Sequence, residues 1–472
     1  MGDRAKLMSE EKILKLFFRF SLPAILGMVV QSLYNIVDRI YIGNIPGYGG
    51  LAISGIGVVL PINFIIMGFA MLFGIGAGAN ISLKLGEGKK DDAEKLFGVG
   101  FFMLVASGIL LSVVGLIFLK DIVNLYGADD QTRIYAEQYL KIILFGNVFN
   151  VVSFGLNNII RAEGNPKVAM YSMLIGAIVN TILDPILIFT FNMGVEGAAI
   201  ATIFAQFLSF AWTMWYFLSK KSMLKLKREN IQFDKKLVFK IMSIGASPFA
   251  MQVAGSVIGI LMNQSLLKYG SSMAIGAYAA INSVITLFFM PIFGMNQGLQ
   301  PIIGFNYGAK NYKRVKEALK VGIISATIVC TFGAILIQTI PEVFINFITK
   351  DEAIREMGVV GIRRFMFFMP VIGFQIISSN FFQAIGKAKK SFMLSMLRQV
   401  IILIPVLLIL PPIMGLLGVW TAAPVADVFA TLTTAVVLYF QFKTMNSEEK
   451  EYHERRMKTA EESVEVKLGY DI

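Results

Sequence analysis

Two acidic residues carry most of the chemical interest of this sequence. Asp38 sits in QSLYNIVDRIYIG and Asp184 in GAIVNTILDPILIF, each inside a stretch otherwise apolar enough to cross a bilayer. A carboxylate at membrane depth costs at least a few kcal/mol unless it faces protein or water, so each marks a functional position. Arg39 is a poor partner for Asp38, because adjacent residues of a helix point to different sides. Asn180 lies one turn before Asp184 on the same helix face, and Thr202 lies near the start of the next apolar stretch. Pro185 has no N–H to bond the carbonyl of Thr181, which leaves a backbone oxygen loose beside the carboxylate. Two carboxylates, an amide oxygen, a hydroxyl and a loosened carbonyl suit a hard monovalent cation such as Na⁺. They suit equally one shared proton, since adjacent carboxylates in low dielectric do not both stay charged. Asp38, Asn180, Asp184 and Thr202 are therefore expected to form a titrating cation site, with Pro23 and Pro185 as hinges in the helices that carry the acids.

The elements that must position these residues are membrane helices. The 472 residues are 56% hydrophobic and 16% charged, with a mean hydropathy of +0.68. That composition lies outside the soluble globular range. Apolar runs long enough to span a bilayer recur along the chain, which specifies an all-α integral membrane protein rather than a barrel. Twelve spans are predicted, over residues 16–42, 51–83, 96–119, 134–160, 168–191, 197–218, 238–267, 274–306, 318–340, 359–385, 392–413 and 417–442.

The formal charge of +12 is mostly topology. Lys84, Lys89, Lys90 and Lys95 follow span 2, a basic run including Lys220, Lys221, Lys225 and Lys227 follows span 6, and Lys310, Lys313, Arg314 and Lys316 follow span 8. The alternate loops are poor in base and carry Asp129, Asp130, Asp351, Glu352 and Glu356. The positive-inside rule then makes both termini and the basic loops cytoplasmic, in a multi-pass protein with no nucleic-acid partner. Counting residues along the spans at a 1.5 Å rise puts Asp38 roughly 33 Å and Asp184 roughly 24 Å from the cytoplasmic ends, and Thr202 roughly 8 Å below the outer surface. All three share the outer half of the membrane.

Other chemistries find little support. Cys330 is the only cysteine and is read as a buried apolar side chain, and His453, the only histidine, lies in the charged tail. No HExxH or GxSxG motif is present, no cofactor is expected, and the N-terminus runs into span 1 without a cleavage site for a signal peptide.

The two halves repeat. Pro23 aligns with Pro248 and Asp38 with Asn263; GANISLKLGEGKKDDAEK aligns with GLQPIIGFNYGAKNYKRV; NNIIRAEGNPK aligns with SNFFQAIGKAK. Six spans per half is an even number, so the copies share one topology and are related by a pseudo-two-fold axis along the membrane normal, as in parallel-repeat transporters. The expected organisation is an N-terminal six-helix bundle over 1–218, a basic cytoplasmic linker over 219–237, a C-terminal six-helix bundle over 238–442 and a charged tail over 443–472. The second half lacks the acidic set: Asn263 replaces the first carboxylate and VIILIPVLLIL is wholly apolar. Its buried charges are Asp427 in span 12 and Arg398 in span 11, the latter read as pairing or snorkelling. Neutral polar residues within the spans, among them Gln31, Asn35, Asn150, Gln206, Asn263 and Gln297, together with Asp427, are candidates for lining a substrate cavity between the bundles.

On SLPAILGMVVQSLYNIVDRIYIG, GIGAGANISLKLGEG, IIRAEGNPK, VNTILDP and GAAIAT, the chain resembles the multidrug and toxic compound extrusion (MATE) family over residues 10–442, and most closely the bacterial branches whose ion site lies in the first bundle. The resemblance implies a V-shaped, inner-membrane antiporter, monomeric in the lipid, that exports organic cations and other amphipathic small molecules against inward Na⁺ or H⁺. The alternative is a lipid-linked oligosaccharide flippase of the related superfamily, which would show more spans and a strongly cationic cavity.

Overall fold

The computed structural model describes residues 3–126, 129–349 and 351–469. In lipid a helix satisfies its own backbone, and the apolar runs accordingly fold as helices. The first half comprises α1 (Asp3–Glu10), α2 (Ile13–Gly43), α3 (Gly49–Gly86), α4 (Lys90–Ile117), α5 (Leu119–Leu125), α6 (Arg133–Ala162), α7 (Pro166–Pro185) and α8 (Gly194–Leu218). The second comprises α9 (Lys235–Tyr269), α10 (Ser272–Gly308), α11 (Tyr312–Thr339), α12 (Pro341–Ile348), α13 (Glu352–Phe365), α14 (Met369–Ala384), α15 (Ala388–Met396), α16 (Ile404–Met414) and α17 (Leu416–Gly469). Turn chemistry sets the ends. Asp234 caps α9 by accepting from the N–H groups of Lys236 and Leu237 at 2.9 and 3.0 Å, and Asp351 caps α13 through Ile354 at 3.0 Å.

Eleven helices among the described residues are long and apolar enough to cross a membrane, and α13 with α14 supplies a twelfth span bent by 56°. The run 359–385, read from sequence as one helix, is thus broken. Pro370 has no N–H to bond the carbonyl of Met366, so the chain stops and restarts there. Two π-helical turns also interrupt spans, at Ile186–Thr190 directly after Pro185 and at Leu397–Leu403. The tail expected over 443–472 does not form a separate unit where it is described, since α17 continues through it to Gly469. Lys316 pairs with Glu449 of that helix at 3.0 Å. The side chain of His453 lies outside the described residues.

Among the described residues two apolar cores are present, one per bundle, and they exchange segments at one end. Met8, Leu16, Phe17 and Phe20 pack in the core of the second bundle, while Val238 and Ile241 pack in that of the first. The bundles meet along α3 against α9 and α2 against α10. A Cβ added to Gly76 would collide with the carbonyl of Ile241, and one added to Gly245 with the carbonyl of Leu72. Farther along α9, Gly255 and Gly259 face open space. The bundles therefore touch backbone to backbone toward the base-rich end, while α9 has no close neighbour at Gly255 and Gly259.

Two segments strap the base-rich end. Glu94 of α4, 3% exposed, accepts from the Lys225 N–H at 3.2 Å and from Lys227 Nζ at 2.8 Å, gripping the linker that leads into α9. In the aligned repeat its counterpart is Arg314 of α11, whose Nη2 donates to the carbonyls of Met8 at 3.1 Å and Glu11 at 2.7 Å, gripping the segment that leads into α2. Each bundle holds the approach to the other. Helix α1 is fastened a second time where Arg4 pairs with Glu163 at 3.3 Å, and Glu163 also accepts from Tyr216, Ser222 and the N–H groups of Met223 and Leu224. Burial pushes the Glu163 carboxyl above its ordinary range, against the opposing pull of these hydrogen bonds and of Arg4.

Candidate functional site

Helices α2, α7 and α8 bring the anticipated quartet together. Asn180 and Asp184 share one face of α7, and the Asn180 Nδ2 donates to Asp184 Oδ1 at 3.2 Å and to Thr202 Oγ1 on α8 at 3.3 Å. Asp184 is fully buried and Asn180 is 1% exposed. Asp38, on α2, reaches the same cluster, where its carboxyl and that of Asp184 lie within hydrogen-bonding range of each other. Among the described residues, three buried oxygens here have no protein donor: Asp38 Oδ1, Asn180 Oδ1 and Asp184 Oδ2. Buried acceptors of this kind are normally paired, and a proton between the carboxyls or a hard cation among the oxygens would satisfy them.

Local backbone explains the placement. Helix α7 ends at Pro185, and the chain continues as a π-turn in which the Phe191 N–H bonds the Ile186 carbonyl at 3.0 Å. This widened turn begins directly after Asp184 and Pro185. Helix α2, by contrast, runs unbroken through the buried Pro23.

Two tyrosines also belong to the site. Tyr34 and Tyr139 both lie within electrostatic reach of Asp38 and Asp184, and Tyr139 lies near Thr202. Neither stands out in the sequence, where a tyrosine on an apolar helix looks like packing; the spacing of Tyr34 four residues before Asp38 was the available signal.

Beside Asn180 and Thr202 a cavity of about 90 Å³ opens, walled by helices of the first bundle and by Gln297 of α10. Gln31, Asn150, Gln206 and Gln297 line it, together with Asn180, Thr202 and Arg161. The other cavity candidates lie elsewhere. Asn35 and Asn263 are exposed on α2 and α9. Asp427, 3% exposed, is bonded by Arg398 Nε at 2.6 Å, so its charge is already matched within the second bundle.

The MatE family profile matches residues 23–186 and 248–409, one segment in each half. The multidrug export protein MepA of Staphylococcus aureus strain N315 is 30% identical over 429 residues, covering 90% of this chain and 94% of MepA. Among solved structures, the MATE multidrug transporter DinF-BH superposes with a TM-score of 0.83 at 38% identity, covering 90% of this chain and 95% of that one. An outward-facing multidrug resistance MATE transporter of the MOP superfamily, at 22% identity, shares the fold with a TM-score of 0.88 over 95% of this chain and 99% of its own. With both of its repeats matched and nearly its whole length shared with a multidrug exporter, the chain belongs to the MatE family and is a multi-pass multidrug efflux transporter, not an enzyme.

Proposed function

We propose that the protein is a cation-coupled antiporter that exports organic cations and other amphipathic compounds from the cytoplasm against inward Na⁺ or H⁺. The observation that carries this reading is the quartet of Asp38, Asn180, Asp184 and Thr202, in which Asn180 and Asp184 are buried and three oxygens are unbonded among the described residues. A proton or a bound Na⁺ removes the repulsion between the two carboxyls and lets α2 and α7 settle into a different packing, with Pro23 and Pro185 as the points of bending. Coupling then needs only that ion and substrate favour different states, by roughly 1–3 kcal/mol. The protein works as a monomer in the cytoplasmic membrane, with both termini and the strapped end on the cytoplasmic side. No cofactor takes part.

Dye efflux from proteoliposomes, under separately imposed Na⁺ and pH gradients, tests the proposal. Efflux driven by one of the two gradients is expected. Efflux indifferent to both overturns the coupling.

A further inference from the structure

Arg161 is the one strongly charged side chain in the cavity wall that the coupling chemistry leaves unused. It sits in the last turn of α6, 4% exposed, and lines the cavity beside Asn180 and Thr202. Its Nη2 donates to Asn158 Oδ1 at 3.0 Å, and among the described residues no carboxylate pairs with it. A buried guanidinium without a counter-charge is costly, and its remaining donors want an anionic or strongly polar acceptor. Contrast Asp427, also buried, which the second bundle matches with Arg398 at 2.6 Å.

The rest of the wall has the opposite character. Asn157 Oδ1, Gln206 Oε1 and Gln297 Oε1 are buried acceptors with no donor, and the two carboxyls of the coupling site lie beyond Asn180. Arg161 thus brings N–H donors carrying a full positive charge into a wall otherwise lined by neutral side chains. About 90 Å³ holds a handful of waters or one polar group, not a whole drug-sized molecule.

We infer that Arg161 is the binding subsite for a carboxylate on the substrate, so that the preferred cargo carries an anionic group that enters this small cavity while the rest of the molecule stays outside it. A carboxylate takes two of the guanidinium donors at once, which gives orientation as well as affinity. The inference rests on the export reading above and narrows its substrate class.

A cationic rhodamine ethyl ester and the free acid obtained by hydrolysing that ester, a zwitterion, differ only at the carboxyl group. Equilibrium binding of each to the purified transporter in detergent, without any gradient, reads the subsite independently of coupling. The wild type is expected to bind the acid roughly tenfold more tightly than the ester, the gain from one charge-assisted contact. In Arg161→Gln that preference should vanish, and Arg161→Lys should restore part of it, because the charge returns without the fork. Equal binding of the two dyes by the wild type overturns the inference and needs no variant to fold. So does a loss in Arg161→Gln that is the same for both dyes, which marks a structural arginine. Failure of either dye to be exported by wild-type proteoliposomes under any gradient sinks the export reading instead, whatever the binding preference.

Discussion

Asp38 and Asp184 can be silenced without changing their shape, which makes Asp→Asn the informative change at the residue scale. Asp38→Asn or Asp184→Asn should abolish gradient-driven efflux while the protein still inserts and folds, because the amide keeps the volume and loses the charge that binds a proton or cation. Dye efflux together with size-exclusion behaviour of the purified variants checks it, and full transport by either variant rules out a shared site. The four principal residues were legible because a charge in an apolar run contradicts its surroundings, and Asn180 and Thr202 follow from spacing once the acids are seen. Tyr34, Tyr139 and Arg161 were not, since an aromatic residue or an arginine at a span end fits the ordinary pattern of membrane helices. Asn35 and Asn263 show the converse limit: a polar residue in a span announces that it avoids lipid, but periodicity alone does not say which of several polar surfaces it faces.

Helices and their interruptions set the next scale. Arg398 lies in the second π-turn and holds the buried Asp427. Removing one partner leaves the other charge buried and unpaired, so Arg398→Ala should cost about 3 kcal/mol, whereas replacing both by apolar residues of similar size recovers much of that loss. A double-mutant cycle on thermal unfolding in detergent measures it, and additive losses would show that the two residues act separately. Packing of α3 on α9 gives a second test. Gly245→Leu must push apart two backbones that touch, and overpacking of this kind costs about 1–3 kcal/mol, while Gly259→Leu, where an added Cβ meets nothing within 4 Å, should be nearly neutral. The span positions were readable from hydropathy, but the bend before Pro370 and the π-turns were not, because an apolar run stays apolar through a break and only the hydrogen-bond register changes.

At the scale of the whole molecule, the strapped end depends on charge. The Glu163 carboxyl is raised above its ordinary value of 4.5 by burial, so it takes up a proton at a higher pH than an exposed glutamate does. The sign follows from linkage: its contribution to folded stability is fully present below the ordinary value and is lost as pH climbs through the raised one. The wild type should therefore lose thermal stability relative to Glu163→Gln as pH rises through that window. Its ion pair with Arg4 moves the other way, because only the ionised carboxylate attracts Arg4, and acidification should loosen α1. Melting temperatures across pH, with spin labels on α1 and α8, separate the two effects; parallel profiles for wild type and variant would remove Glu163 from the account.

The straps at this end are equivalent in position and opposite in polarity, and ionic strength acts on them unequally. Glu94 holds its strap partly through the ammonium of Lys227, 39% exposed and 2.8 Å away, an attraction between ions that is weakened only in concentrated salt, where the screening length falls to about 3 Å. Arg314 holds its strap through the neutral carbonyls of Met8 and Glu11, and dipoles of this sort are far less sensitive to salt. Hydrogen exchange at concentrated salt should accordingly speed up at the amides of 225–230 while leaving those near residue 11 protected; equal acceleration in both would mean that the straps release together. If the first outcome holds, the two halves of a nearly symmetric duplication do not let go at the same moment. The order in which they release is then set by the ionic strength around this end of the molecule, a variable that the cargo does not control.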